Sequence, residues 1–204
     1  MMKKVTVVGG TGTIGSAVKN LLQTEGYHVT GASRHSEDRI DIEDSESIRT
    51  FFTKTNQIDA LICAAGDASF GAFSELTDEQ FRIGLNSKLM GQVSLVRAGL
   101  PKLNPNGVIV LTGGIFAHQP WPKTSSIAMV NAAIEGFVKA LALEMTEDRR
   151  ILVVHPPFVK ETAEAMQMDG SKCPQASDVA KAYLQCLETE ETGVAIYLKE
   201  PDLV

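Results

Sequence analysis

The first apolar run of this chain, residues 5–8, ends on a cluster of glycines: Gly9, Gly10, Thr11, Gly12, Thr13, Ile14 and Gly15. Gly10, Gly12 and Gly15 meet the spacing GxGxxG, and Gly9, Gly12 and Gly15 meet GxxGxxG. Helical spacing follows at once, with Ile14, Ala17, Val18, Leu21 and Leu22 on one face. A strand that turns through glycines into a helix leaves few folds open. Glycine takes up positive φ freely, and its missing Cβ lets the backbone approach a pyrophosphate. The helix start adds unpaired N–H groups and the positive end of its dipole. Placed between strand and helix, the spacing predicts a dinucleotide phosphate loop; the plain alternative is a glycine turn without a ligand.

The rest of the chain alternates in the same way. Residues 27–32, 39–42, 58–64, 108–112, 151–155 and 194–198 read as further strands, the second of them brief. Helical patterns fall at 13–26, 44–56, 77–103, 124–145 and 177–187, and Thr77 with Gln80 has the form of a capping box. Apolar strands separated by helices predict a single α/β domain over 1–204, a Rossmann-type doubly wound parallel sheet of seven strands in the order 3-2-1-4-5-6-7. The irregular stretch 160–175 reads as a connecting loop or a short lid beyond a strand's carboxyl end.

Composition narrows the partners. Nineteen Lys and Arg against 25 Asp and Glu give a net charge of −6, which lacks the basic footprint of a nucleic-acid or anionic-membrane binder. The three cysteines, Cys63, Cys173 and Cys186, have no metal-ligand spacing with the four histidines, so no metal is expected and the thiols read as reduced. The short apolar run after Met1–Lys4 is too brief for a secretory segment, and the expected location is cytoplasmic. About 20 residues past the glycines, where an acid would hold a ribose 2′-hydroxyl, the chain carries Ser33 and Arg34. A guanidinium there suits a 2′-phosphate, so NADP(H) is favoured over NAD(H); the alternative for Arg34 is a solvated loop charge.

These residues resemble the short-chain dehydrogenase/reductase family over nearly the whole chain. Asp41 and Ile42 look like the family's adenine-contacting pair, and Ala64, Ala65 and Gly66 like the tail of its NNAG motif. Asn86 falls where the resemblance places a helix-borne active-site asparagine, and the helix from Ala132 to Glu144 is similar to the one that follows the catalytic tyrosine. Pro156, Pro157 and Val159 look like the turn over the nicotinamide, with Pro157 in place of glycine.

The same alignment puts Gly114 at the serine position, Ile127 at the tyrosine and Asn131 at the lysine. An isoleucine cannot move a proton, and Asn131 can donate hydrogen bonds to a ribose but brings no charge. Loss of a general acid is worth about 10²–10⁴ in rate. His118 and Lys123, near the missing groups, are the candidate substitutes; Thr112 offers a hydroxyl, and Trp121 either lines a pocket or anchors its loop. The resemblance implies an NADP(H)-binding oxidoreductase of unknown substrate with altered catalytic residues. A dinucleotide-binding sensor or scaffold without turnover is the competing expectation. It also implies a homodimer or homotetramer through the helices at 77–103 and 124–145.

Overall fold

The computed structural model describes residues 3–198, so the ends of the domain predicted over 1–204 lie outside the described residues. β1 (Lys4–Val8) leads through the glycine turn into α1 (Thr13–Thr24), and β2 (His28–Ala32) follows. Then come α2 (Ser45–Lys54), β3 (Ile58–Cys63), α3 (Asp78–Ile83), a π-helical segment (Gly84–Met90) and α4 (Gly91–Gly99). The second half carries β4 (Leu103–Thr112), α5 (Ser125–Ala142), β5 (Arg150–His155), α6 (Lys160–Ala165), α7 (Ala176–Glu188) and β6 (Ala195–Tyr197). Every strand pairing is parallel, and the order is β2-β1-β3-β4-β5-β6.

The strands alternate their side chains between two cores. Leu61, Ile109, Leu111, Ile151 and Val153 face the layer of α2, α4 and α5. Val5, Val7, Ile62, Val110 and Leu152 face the layer of α1 and α7. Each of these side chains is 0–1% exposed, and full burial of one contributes about 1.5–3 kcal/mol. Being apolar on both faces forces the three-layer arrangement, because a helix must cover each side.

Three elements depart from the sequence reading, the first being α6 (Lys160–Ala165), a short helix inside the stretch read as irregular. Among the described residues the sheet has six strands, not seven: residues 39–42 make only a single bridge, between Ser33 and Arg39. The alternation there is real, since Ile40 and Ile42 are buried at 2% and 8%. The ladder stops because the backbone turns at once toward α2, with the Asp41 N–H donating to Ser47 Oγ and Asp44 accepting from the Glu46 N–H as the cap. The predicted helix at 77–103 begins with the expected capping box but is interrupted by the π-helical segment around Asn86. α5, with mean hydropathy 1.2, is long and apolar enough to cross a bilayer by length and composition, yet it lays Val130, Ile134 and Val138 onto the sheet.

Candidate functional site

At the carboxyl ends of the strands the glycine turn is shaped by contact. Gly9 has φ +84°, and a Cβ on it would sit 2.6 Å from the Ala64 carbonyl oxygen. A Cβ on Gly15 would lie 2.1 Å from the Gly9 oxygen, so α1 can start this close to the turn only with glycine. Gly12, by contrast, faces open space apart from one atom at 3.3 Å, and no side chain caps the amino end of α1. The result is an uncapped helix start under a bare backbone, the geometry a pyrophosphate needs.

Two hollows flank this turn. The first, about 260 Å³, is lined by Gly9, Thr11 and Gly12, by Ser33 and Arg34 at the end of β2, and by Asp41, Ile42, Ala64, Ala65 and Gly66. It gathers nearly all residues expected at the adenosine end. Arg34 and Asp67 face each other there at 3.7 Å, both more than half exposed, so the guanidinium is available to an incoming anion. A larger groove of about 730 Å³ lies at the opposite ends of β1, β2 and β3 under α2, far from the glycine turn. Ligands of such sheets bind at the carboxyl ends, so this groove is set aside.

The second hollow, about 330 Å³, brings together Ile14, Gly114, Ile127, Asn131, Pro156 and Val159. The three positions that depart from the family pattern therefore share one wall. Asn131 is fully buried, and neither its amide nitrogen nor its oxygen has a partner. Such a group costs free energy unless a ligand completes it, so it fits a cofactor or substrate hydroxyl. The opposite wall is aromatic: Phe70, Phe116 and Phe158 line the hollow, and Trp121 stacks on Phe158 at 6.2 Å without itself lining it. Trp121 thus anchors the loop. Thr112 turns inward, its hydroxyl donating to the Cys63 carbonyl at 2.5 Å and pairing with Tyr183 at 2.7 Å.

The catalytic expectations fare differently. Asn86 is exposed and lines neither hollow, whereas Ser87 and Lys88 are buried. A π-helical segment carries an extra residue per turn, and this changes which side chains face the cleft. Lys123 is exposed, with φ +72°, and its carbonyl accepts the Gly71 N–H. His118 belongs to a cluster at the β6 edge: its Nε2 lies 2.7 Å from Glu135 Oε2, and Lys139 Nζ lies 2.5 Å from Oε1. Tyr197 donates to the same carboxylate. Burial pushes the Glu135 carboxyl up, but the hydrogen bonds from His118, Lys139 and Tyr197 outweigh it and hold it down to about 2. Behind Gly114 stands His155, whose Nδ1 lies 3.1 Å from the Gly114 nitrogen; burial lowers its pKa and keeps it neutral. Neither His118 nor Lys123 reaches the cleft.

Lys88 escapes the sequence reading although a signal for it exists. Gly84, Lys88, Gly91, Gln92 and Leu95 form one buried stripe at helical spacing, and a lysine within it is out of place. Its backbone packs on Gly66, where a Cβ would come within 2.8 Å of Lys88 Cα. Burial pulls its pKa down to about 8, against the pull of Cys63 and Asp67.

Comparisons with known proteins agree with this geometry. Residues 13–200 match the family described as enoyl-(acyl carrier protein) reductase. The chain is 26% identical to a 3-ketodihydrosphingosine reductase of Bacteroides thetaiotaomicron over 76% of this chain, and spans 60% of that protein. It is 27% identical to the 3-oxoacyl-[acyl-carrier-protein] reductase FabG of Rickettsia conorii, over 78% of this chain and 73% of the relative. Among solved structures, the protein lin1944 of Listeria innocua superposes with a TM-score of 0.91 at 34% identity, covering 98% of this chain and all of its own. A small-chain dehydrogenase in complex with NADPH superposes with a TM-score of 0.87 at 28% identity, covering 98% of each chain.

Proposed function

This chain belongs to the short-chain dehydrogenase/reductase family, and from that premise we propose that it binds NADP(H) and exchanges a hydride with a small apolar carbonyl or alcohol compound. The observation that carries the cofactor preference is Arg34 beside Ser33 in the adenosine hollow, with no carboxylate on the end of β2. The uncapped start of α1 and the unpartnered Asn131 amide favour a cofactor reaching from one hollow to the other. When bound, the nicotinamide would supply the hydride; this chain's residues orient it and wall the substrate in with Phe70, Phe116 and Phe158. The aromatic wall favours an aldehyde or ketone with an apolar body.

The test is fluorescence titration with NADPH and NADH. Arg34→Ala is expected to weaken NADPH binding about tenfold or more, the loss of a charge-assisted contact, and to leave NADH nearly unchanged. Equal losses for both nucleotides would refute the preference. Absence of saturable NADPH binding would end the reading. Saturable binding without turnover of any carbonyl would favour a nucleotide sensor instead. We propose in addition that two copies associate across residues 77–103 and 124–145, where Ile83, Met90, Met129 and Leu143 are exposed.

A further inference from the structure

The second hollow holds a cation that none of the expected site residues accounts for. Lys88 is 9% exposed and lines the hollow with Gly114, Ile127 and Asn131. The fold places it there deliberately, by a π-helical segment that turns Ser87 and Lys88 inward and by Gly66, which leaves room for the Lys88 backbone. Among the described residues no carboxylate lies within ion-pair distance of its ammonium, and Asp67, the nearby acid, faces Arg34 instead. Burying an unpaired ammonium is costly, and a fold keeps such a cost where a ligand or a reaction uses it.

The surrounding groups leave the proton to Lys88. Cys63, at the end of β3, is held as a neutral thiol, its pKa raised to about 11 by burial. His155, on β5, is neutral and turned toward Gly114. His118 and Glu135 are tied to each other at the β6 edge, and no tyrosine lines the hollow. Asn131 on α5 lies directly against Gly114 with free hydrogen-bonding atoms. Relative to the family pattern, the amide and the ammonium have exchanged helices: the charge stands on the segment preceding α4 and the amide on α5.

We propose that Lys88 is the proton donor of this site, its Nζ binding the oxygen of an apolar aldehyde or ketone and protonating it as the carbonyl is reduced. This rests on the oxidoreductase reading above. The carbonyl carbon gains a hydride from the reduced nicotinamide, and the oxygen gains the Lys88 proton. The C=O π bond is exchanged for C–H and O–H bonds, the nicotinamide departs oxidised, and the neutral amine takes a proton back from water at the open mouth. Asn131 holds the same oxygen or the adjacent ribose by its amide.

Two measurements test it on the full chain. Pulse acetylation with acetic anhydride between pH 6 and 10, read by mass spectrometry with exposed Lys54 as the labelling control, is expected to show Lys88 titrating near pH 8. Saturating NADP+ should protect Lys88 at least about fivefold and leave Lys54 unchanged. A Lys88 that titrates with the surface lysines, fails to label, or gains no protection overturns the assignment. In the second, reduction of 4-nitrobenzaldehyde by NADPH should fall above pH 8, where the donor loses its proton. Lys88→Met should lower kcat on the order of 100-fold while the Kd for NADPH stays within about threefold. Lys88→Arg, charged but unable to release a proton, should not restore the rate. Turnover that survives Lys88→Met overturns the Lys88 assignment alone; bound NADPH with no turnover by the unaltered protein overturns the oxidoreductase reading with it.

Discussion

At the scale of single residues, the cleft is governed by atoms that are missing or unpaired. Gly114 has φ 170° and ψ 154°, an extended backbone open to any residue. What excludes a side chain is Asn131, whose Nδ2 would lie 2.7 Å from a Cβ there. The glycine and the asparagine are thus one packing unit, and reinstating a serine alone cannot rebuild the family's site. Gly114→Ser is expected to destabilise the protein by about 1–2 kcal/mol. The loss should shrink in the double variant with Asn131→Ala, a coupling that urea denaturation of the four-member cycle measures directly. Additive losses would show that the two positions do not touch. Asn131 and Gly114 were both legible as departures from the family pattern; that each explains the other was visible only once α5 lay against the turn after β4.

Among the elements, the junctions matter more than the elements themselves. The end of β4 is clamped by Gln92 of α4, whose Nε2 donates to the Thr112 carbonyl at 2.9 Å and whose Oε1 accepts the Thr112 N–H at 3.1 Å. Together with β5, where the Gly113 N–H donates to the Val154 carbonyl at 2.9 Å, this fixes the turn carrying Gly113 and Gly114. β5, β6 and α5 meet in the cluster of Glu135, His118, Tyr197, Lys139 and His155, with the His155 and Tyr197 rings stacked at 4.8 Å. The signs of its titrations agree. His155 has a lowered pKa, so the unfolded chain binds more protons and stability falls once the pH drops below the ordinary histidine value of about 6.5. Glu135, held down to about 2, stabilises fully above the ordinary carboxylate range and loses that contribution as the pH falls through it. Calorimetry should therefore show the melting temperature declining steadily from pH 6.5 to pH 3. Glu135→Gln should flatten the lower part of that decline, and an unchanged slope in this variant would remove the cluster from the account. Thr77 and Gln80 announced their capping box, and Asp44 its helix start, because such signals are local. The π-helical segment carries no such local signal; its start and the residue after it pack closely on other segments, Gly84 on Val130 and Gly91 on Ile42.

For the whole molecule, the sheet places both hollows on one edge, and the exposed apolar residues Ile83, Met90 and Met129 lie on the same helical segments that frame the cleft. This is the surface used by the association of two copies proposed above. Light scattering is expected to return a multiple of the 22.0 kDa chain, and Met129→Glu to shift the population toward monomer. A monomeric unaltered protein at micromolar concentration would dismiss the association. The groove at the other ends of β1, β2 and β3 lies away from both hollows.

The sequence by itself determined the layered α/β fold, which depends on apolar period, and located the glycine turn and the Ser33–Arg34 end of β2, which depend on residues adjacent in the chain. It also aligned Ile127 and Asn131 with the family's tyrosine and lysine positions. Only the tertiary structure decided which groups line the cleft. A widened helical turn moved Asn86 outward and Lys88 inward, and packing of α5 left the Asn131 amide without partners. Both outcomes arise from packing between separate segments, Lys88 against Gly66 and Asn131 against the turn at Gly114, and sequence spacing alone does not specify that packing.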